Sequence, residues 1–159
     1  MTRLAITGHR GLPAGTERLV DTALRAEISR RAGGGLVGLS CLADGADTLF
    51  ARAILDAGGK LIVIVPAMQY RDGLPTEHQP TYDALIARAT RVVQIDRTES
   101  DSEAHMAASL RMLDQADELV AVWDGKPARG YGGTADVVKA ARERCIPVTV
   151  VWPETASRD

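Results

Sequence analysis

The chain has 159 residues, 45% of them hydrophobic and 25% charged, which is typical of one globular domain. The net charge of −2, the scattered lysines and arginines and the aromatic content of 4% argue against a broad nucleic-acid-binding surface. No apolar run approaches the ~20 residues of a membrane span, no signal peptide precedes the first strand, and the two cysteines lack metal-ligand spacing. We therefore expect a cytoplasmic protein with free thiols, no membrane association, no metal and no cofactor.

Six short apolar runs predict buried strands. Each is nearly continuous in Val, Ile and Leu, which suits strands covered on both faces. In chain order the runs are residues 3–7 (RLAIT), 35–41 (GLVGLSC), 60–65 (KLIVIV), 91–95 (RVVQI), 118–123 (ELVAVW) and 147–152 (PVTVVW).

Helical patterns separate these strands. They cover residues 16–31, 46–57, 82–89, 103–115 and 131–144. Alternation of strands and helices indicates βαβ units with right-handed crossovers. We predict an α/β fold: a doubly wound three-layer sandwich with a mostly parallel six-stranded sheet in the order 3-2-1-4-5-6. Residues 1–153 are expected to form one domain and residues 154–159 a flexible C-terminal tail.

The loop after the first strand is a candidate anion site, because ligands of open α/β sheets bind beyond the carboxyl ends of strands. It reads GHRGLPAG, and a helix with free N–H groups is expected to begin near a capping Thr16. Neither the dinucleotide G-x-G-x-x-G nor the Walker pattern is present. Gly8, His9, Arg10 and Gly11 are predicted to contact phosphate; the alternative is a tight turn with a solvated His9 and Arg10.

The loop after the second strand, CLADGADT, carries the next candidates. Gly45 permits close approach of a ligand to the backbone, next to Ala43. Asp44 either caps the second helix or contacts the ligand. Asp47 is predicted to accept a hydrogen bond from a sugar hydroxyl or a base edge, the alternative being a carboxylate that only favours the helix dipole.

The loop after the fifth strand, DGKPARGYGGT, enters a helix directly. Its amides and the Thr134 hydroxyl form a second predicted phosphate cradle. Asp124, Gly132, Gly133 and Thr134 are therefore assigned to the binding site. Tyr131 either stacks on a base or only shields the glycines.

Residues outside these loops are assigned mainly to structure. The long connection 67–80 and the helix after it supply Arg71, Gln79 and Tyr82 as candidates for a lid over the ligand. His78 and His105 are expected at the surface.

Together the three loops resemble the SLOG superfamily of Rossmann-like proteins. That group includes the Lonely Guy (LOG) phosphoribohydrolases, the Rossmann part of the DNA-processing protein DprA, and YpsA-like proteins. The resemblance rests on Thr7-Gly8-His9-Arg10, on LSCLADGADTL at 39–49, and on Gly132-Gly133-Thr134. In the second motif Cys41 stands where the first glycine usually does. The resemblance implies a Rossmann-like domain that binds a nucleotide or a nucleotide derivative.

The chain departs from the enzymatic members at the third motif. Those carry P-G-G-x-G-T-x-x-E, and here Val137 occupies the glutamate position. Asp136 is one residue early, so it should point about 100° around the helix. We therefore expect a sensor or carrier that binds a small nucleotide-like molecule, with Asp136 the only weak catalytic candidate.

Two other functions stay open at this stage. One is a nucleoside-monophosphate N-glycosidase that uses Asp136 with Arg10 or Arg129. The other is a DprA-like DNA-associated protein, which the acidic pI of about 5.9 opposes. Assembly as a homo-oligomer is implied by the resemblance.

Overall fold

The protein, seen in a computed structural model that describes residues 1–158, alternates strands and helices throughout. Asp159, the last residue of the predicted tail, lies outside the described residues. The strands are β1 (Thr2–Gly8), β2 (Leu36–Ser40), β3 (Lys60–Val65), β4 (Arg91–Gln94), β5 (Glu118–Val122) and β6 (Val148–Val151). The α-helices are α1 (Ala14–Ser29), α2 (Ala46–Asp56), α3 (Gln79–Arg88), α4 (Ser102–Gln115) and α5 (Thr134–Glu143).

All six strands run parallel in one sheet, in the order β4-β3-β2-β1-β5-β6. The predicted α/β doubly wound fold is confirmed, but the predicted order 3-2-1-4-5-6 is wrong. β4 pairs with β3 at the sheet edge, with Ile62 opposite Arg91, and β5 takes the place beside β1. The polar Arg91 and Gln94 and the 46% exposed Val92 suit an edge strand, whereas the position beside β1 is covered on both faces.

The two faces of the sheet are covered by different helices. Leu4 and Ile6 of β1 pack with Val20 and Leu24 of α1 and with Phe50 of α2. On the other face, Ala5 and Leu119 belong to a core shared with Met112 of α4 and with Val137 and Ala141 of α5. This alternation along β1 is the period of two expected for a strand buried on both faces.

The N-terminal ends of α1, α2 and α5 differ from the sequence-based expectation in position or in capping residue, and α3 begins at Gln79 instead of residue 82. α1 begins at Ala14 after Pro13, so Thr16 lies inside the first turn and does not cap it. Gly45, and not Asp44, is the N-cap of α2. α5 begins at Thr134, which leaves Tyr131 in the preceding loop. In the first case Pro13, with its fixed φ, is well suited to precede the first turn.

The glycine at the end of β1 is required by packing. A Cβ on Gly8 would lie 2.4 Å from the Cβ of Ala46 and 2.9 Å from that of Val122. The first turn of α2 therefore approaches β1 closely, which brings the loops after β1 and β2 together. Within residues 1–158, no helix is both long enough and apolar enough to cross a membrane.

Candidate functional site

A cleft of about 720 Å³ opens at the carboxyl edge of the sheet, within the usual range for small-molecule sites. It lies beside β1 and β5, where the winding of the sheet reverses. Ten of the twelve predicted binding residues line it; the exceptions are Gly45 and Asp124. The ten are Gly8, His9, Arg10, Gly11, Ala43, Asp44, Asp47, Gly132, Gly133 and Thr134.

The corrected strand order makes the cleft narrower than predicted. β2 and β5 flank β1 directly, so they are two strand spacings apart, about 10 Å, where the predicted order separated them by three, about 14 Å. The loops after β1, β2 and β5 are thus immediate neighbours.

His9 lies at the centre of this junction and is only 3% exposed. Its Nε2 accepts the backbone N–H of Asp124 at 3.0 Å, so this nitrogen carries no proton. Nδ1 then carries the proton and donates to the Thr134 hydroxyl oxygen, 3.4 Å away. Burial, followed by the charge of Arg158, lowers the pKa of His9, which favours this neutral form.

Asp124 stands behind His9 and does not line the cleft. Its Oδ1 accepts the backbone N–H of Lys126 at 3.0 Å and lies 3.3 Å from His9 Nε2. Its Oδ2 lies 3.8 Å from Nη1 of Arg158. Asp124 thus holds the start of the loop after β5 against His9.

One end of the cleft is cationic; we call it the arginine end, formed by His9, Arg129, Thr134 and Arg158. Both arginines line the cleft, and the charges of both act on His9. The first turn of α5 begins here; its N–H groups before Asp136 have no preceding helical carbonyl, whereas the Asp136 N–H donates to the Gly133 carbonyl at 3.0 Å. The Thr134 side chain is 92% buried and also lines the cleft. An anion therefore finds positive charge, a helix N-terminus and a hydroxyl in one place.

The glycine loop that leads into α5 is held by side chains and by close backbone contact. Gly132 has a φ of +84°, and a Cβ there would lie 3.0 Å from the carbonyl oxygen of Ser102. Its N–H donates to the Asp136 carboxylate at 2.8 Å. Asp136 does not line the cleft; its carboxylate faces the loop backbone.

The opposite end we call the aspartate end, formed by Cys41, Asp47, Tyr70 and His105. All four line the cleft. The Asp47 carboxylate accepts the N–H of Ala43 at 3.3 Å, but burial dominates and raises the pKa of Asp47 to about 7. Burial also raises the pKa of the Cys41 thiol and of Tyr70. This end therefore offers weakly charged hydrogen-bonding groups.

Arg10 borders the aspartate end and is paired. Its Nε and Nη2 donate to Asp44 Oδ1 at 2.9 and 2.8 Å, and Asp44 Oδ2 accepts the Gly11 N–H at 3.0 Å. Asp44 thus fixes the loop after β1. Gly45, with a φ of +87°, lets the His9 carbonyl approach: a Cβ would lie 2.6 Å from that oxygen.

Two histidines and the expected lid differ from the predictions. His78 is buried, and its Nε2 lies 2.9 Å from the Leu42 carbonyl oxygen; His105 is partly buried and lines the cleft. The expected surface position of His78 is wrong, because the connection after β3 folds back onto the loop after β2. His105 lies on α4 and is half-buried. The lid candidates do not line the cleft, since Arg71 pairs with Asp83, Gln79 binds the Leu74 carbonyl and Tyr82 joins the core.

Sequence reasoning did not assign Tyr70, His105 or Arg158 to the site. Tyr70 and His105 come from the connection after β3 and from α4, and their rings meet edge to face at 5.7 Å. No local motif marks them. Arg129 lies in a loop that was already singled out and was named only for the enzymatic alternative.

No group of three or more His, Cys, Asp or Glu residues within residues 1–158 is placed to hold a metal ion. No protein-family model matches the chain, and the search of curated proteins finds no match.

Solved structures do match. DNA processing protein A (DprA) from Streptococcus pneumoniae superposes with a TM-score of 0.71 at 17% identity, over 98% of this chain and 52% of that one. This chain therefore spans about half the length of that protein. DprA from Helicobacter pylori gives 0.68 at 18% identity, over 98% and 68%. The molybdenum cofactor binding protein from Rippkaea orientalis gives 0.59 at 14% identity, over 96% and 77%. As the sequence resemblance implied, the chain has a Rossmann-like fold, which it shares with these structures.

Proposed function

We propose that the protein binds a nucleotide or a nucleotide-derived phosphorylated molecule, with its phosphate at the arginine end of the cleft. The observation that carries this proposal is the convergence of Arg129, Arg158, Thr134 and the first turn of α5 on one wall of the cleft. Phosphate oxygens accept from guanidinium, hydroxyl and helix N-terminal N–H donors.

The remaining part of the ligand would lie toward the aspartate end. Cys41, Asp47 and Tyr70 form a largely desolvated floor there, with hydrogen-bonding groups that suit a heterocycle. The about 10 Å between β2 and β5 matches a molecule with a phosphate on one side and a ring on the other.

A small-molecule carrier or sensor fits better than an enzyme. Asp136, the catalytic candidate, has its carboxylate bound to the Gly132 N–H and does not line the cleft. The similarity to a molybdenum cofactor binding protein supports ligand binding without proving it, since at 14% identity that similarity concerns the fold.

The test is a thermal-shift and calorimetry screen of adenosine and guanosine with their mono-, di- and triphosphates. A ligand present at about 100 times its Kd should add about 2.7 kcal/mol of stability. Arg129→Ala should lower the affinity for a nucleoside monophosphate about 10-fold and leave the affinity for the nucleoside unchanged. Arg111→Ala is the matched control, since Arg111 is exposed and does not line the cleft.

The same samples address the alternatives. Release of free base from a nucleoside monophosphate, lost in Asp136→Asn, would contradict the carrier proposal and favour the glycosidase. Single-stranded DNA binding that weakens steeply with salt, with no nucleotide bound, would favour a DprA-like role instead. Homo-oligomer formation stays a prediction, which sedimentation velocity checks.

A further inference from the structure

Segment 153–158, which includes most of the predicted flexible tail 154–159, lies against the cleft. After β6, the Trp152 ring packs edge-on to His9 with 5.5 Å between ring centroids. The Pro153 carbonyl then accepts the N–H of Ala156 at 2.9 Å, which turns the chain back toward the first turn of α1. The segment therefore passes next to the arginine end.

Thr16 ties this segment to α1. Its hydroxyl donates to the Ser157 carbonyl oxygen at 2.8 Å and accepts the Ser157 N–H at 2.9 Å. The Thr16 side chain is 3% exposed. Because one hydroxyl engages both polar groups of one residue, it sets the position of the backbone immediately before Arg158.

Arg158 is thereby placed in the wall of the cleft. Its Nη1 approaches Asp124 Oδ2 only to 3.8 Å, beyond hydrogen-bond distance, and its side chain is 21% exposed. A guanidinium has five N–H donors, so most of them remain available to a ligand. Arg10 differs, because Asp44 already engages its Nε and Nη2.

The charges at this end leave room for an anion. Arg129 and Arg158 are both positive, and His9 is neutral. Two carboxylates are near: Asp124 Oδ2 lies 3.8 Å from Arg158 Nη1, and the Asp136 carboxylate in the first turn of α5 accepts the Gly132 N–H. A planar guanidinium can donate two parallel N–H bonds to a phosphate, which an ammonium group cannot do.

We propose that Arg158 binds the phosphate of the ligand directly, and that Thr16 positions it through Ser157. This inference rests on the proposed function and extends it: segment 153–158 becomes part of the binding site. Thr16 is a positioning residue, since it does not line the cleft.

Calorimetry with adenosine and guanosine 5′-monophosphate and the two nucleosides tests this. Arg158→Ala should lower the affinity for the monophosphates about 10- to 100-fold and change the affinity for the nucleosides less than about 2-fold. Arg158→Lys should recover part of the loss, because it keeps the charge without the planar fork. Arg111→Ala should change nothing.

Thr16→Val should lower the affinity for the monophosphates about 3- to 10-fold. Thr16→Ser keeps the hydroxyl and should bind them as tightly as the unmodified chain. The double variant Thr16→Val with Arg158→Ala should bind no more weakly than Arg158→Ala alone, because Thr16 acts through Arg158. Circular dichroism and melting curves check that each variant is folded.

Two results would overturn the inference while leaving the proposed function standing. One is a monophosphate affinity in Arg158→Ala equal to that of the unmodified chain. The other is full additivity of the two losses in the double variant. If the unmodified chain binds neither the monophosphates nor their nucleosides, both proposals fail together.

Discussion

The two ends of the cleft present opposite chemistry on the same sheet edge. The arginine end carries two permanent charges, and its histidine is neutral because burial, and then the charge of Arg158, lower its pKa. The aspartate end carries groups that burial holds near neutrality, with the pKa of Asp47 at about 7. A ligand would thus meet fixed charge on one side and adjustable protonation on the other.

Local surroundings decide what each polar residue of the cleft can do. Arg10 and Arg158 both lie in the cleft wall. The guanidinium of Arg10 is hydrogen-bonded to Asp44, whereas that of Arg158 comes only within 3.8 Å of Asp124. Asp44 and Asp47, three residues apart, likewise differ: one organises a loop, and the other is desolvated beside a thiol.

The largest expected effect is at the contact that holds the two ends at a fixed separation. Gly45→Ala would force a Cβ to within 2.6 Å of the His9 carbonyl oxygen at a φ of +87°. We expect the free energy of unfolding to fall by about 3 kcal/mol, which corresponds to a melting temperature about 6–12 °C lower. Gly33→Ala, where a Cβ meets nothing within 4 Å, is the control. Equal melting temperatures for the two variants would show that this loop contact is not needed.

Removing one hydroxyl tests the arginine end alone. Thr134→Val should lower the affinity for nucleoside monophosphates about 10-fold, since a hydrogen-bond donor to the phosphate is lost. The His9 Nδ1–H also loses its acceptor, which should cost about 1 kcal/mol of stability. Thr134→Ser should behave as the unmodified chain in both calorimetry and unfolding. Full affinity in Thr134→Val would exclude a hydroxyl contact to the ligand.

Acid should act in opposite senses at the two ends, and Asp47 should give the larger response. Its folded pKa of about 7 lies above the ordinary value of 3.8, so the native state holds the extra proton between about pH 4 and 7. Stability due to this group therefore falls as pH rises through that interval. Urea unfolding at pH 4.5 and at pH 7 measures the difference in unfolding free energy between the two pH values. Asp47→Asn should reduce that difference by about 1 kcal/mol. An unchanged slope would mean that Asp47 is ionised in the native state.

The smallest effect is expected from His9. Burial and then Arg158 lower its pKa below 6.5, so the unfolded chain takes up the proton first and stability falls as pH drops below about 6.5. The loss should stay below about 1 kcal/mol. Nitrogen NMR of the imidazole should show a proton on Nδ1 and none on Nε2 at pH 7.5. A proton on Nε2 would contradict the hydrogen bond from Asp124.

The sequence predicts the fold class and most of the cleft wall, but not the order of the strands. Alternating apolar runs predict the sheet, and the glycine loops after the first, second and fifth strands identify ten lining residues. The edge position of β4 is marked only by polar residues: Arg91 and Gln94 are typical of an edge strand, whereas the apolar run around them suits any position in the sheet.

The rest depends on how distant segments fold back. His105 reaches the cleft because α4 packs over the sheet, and Arg158 because Ser157 meets Thr16 across 141 residues of sequence. Short polar strings such as residues 153–158 carry no period that would announce such a contact.

The hydrogen bonds of His9 have a consequence for selectivity. The Asp124 backbone N–H donates to Nε2, and the proton on Nδ1 is donated to one lone pair of the Thr134 hydroxyl oxygen. The Thr134 hydroxyl proton is then available to a ligand in the cleft. A backbone N–H in the loop after β5 thereby orients, through His9, a hydroxyl at the start of α5. The cleft wall at that point should favour a ligand oxygen that accepts over a donor-only group such as an ammonium, which would meet only the second lone pair of the hydroxyl.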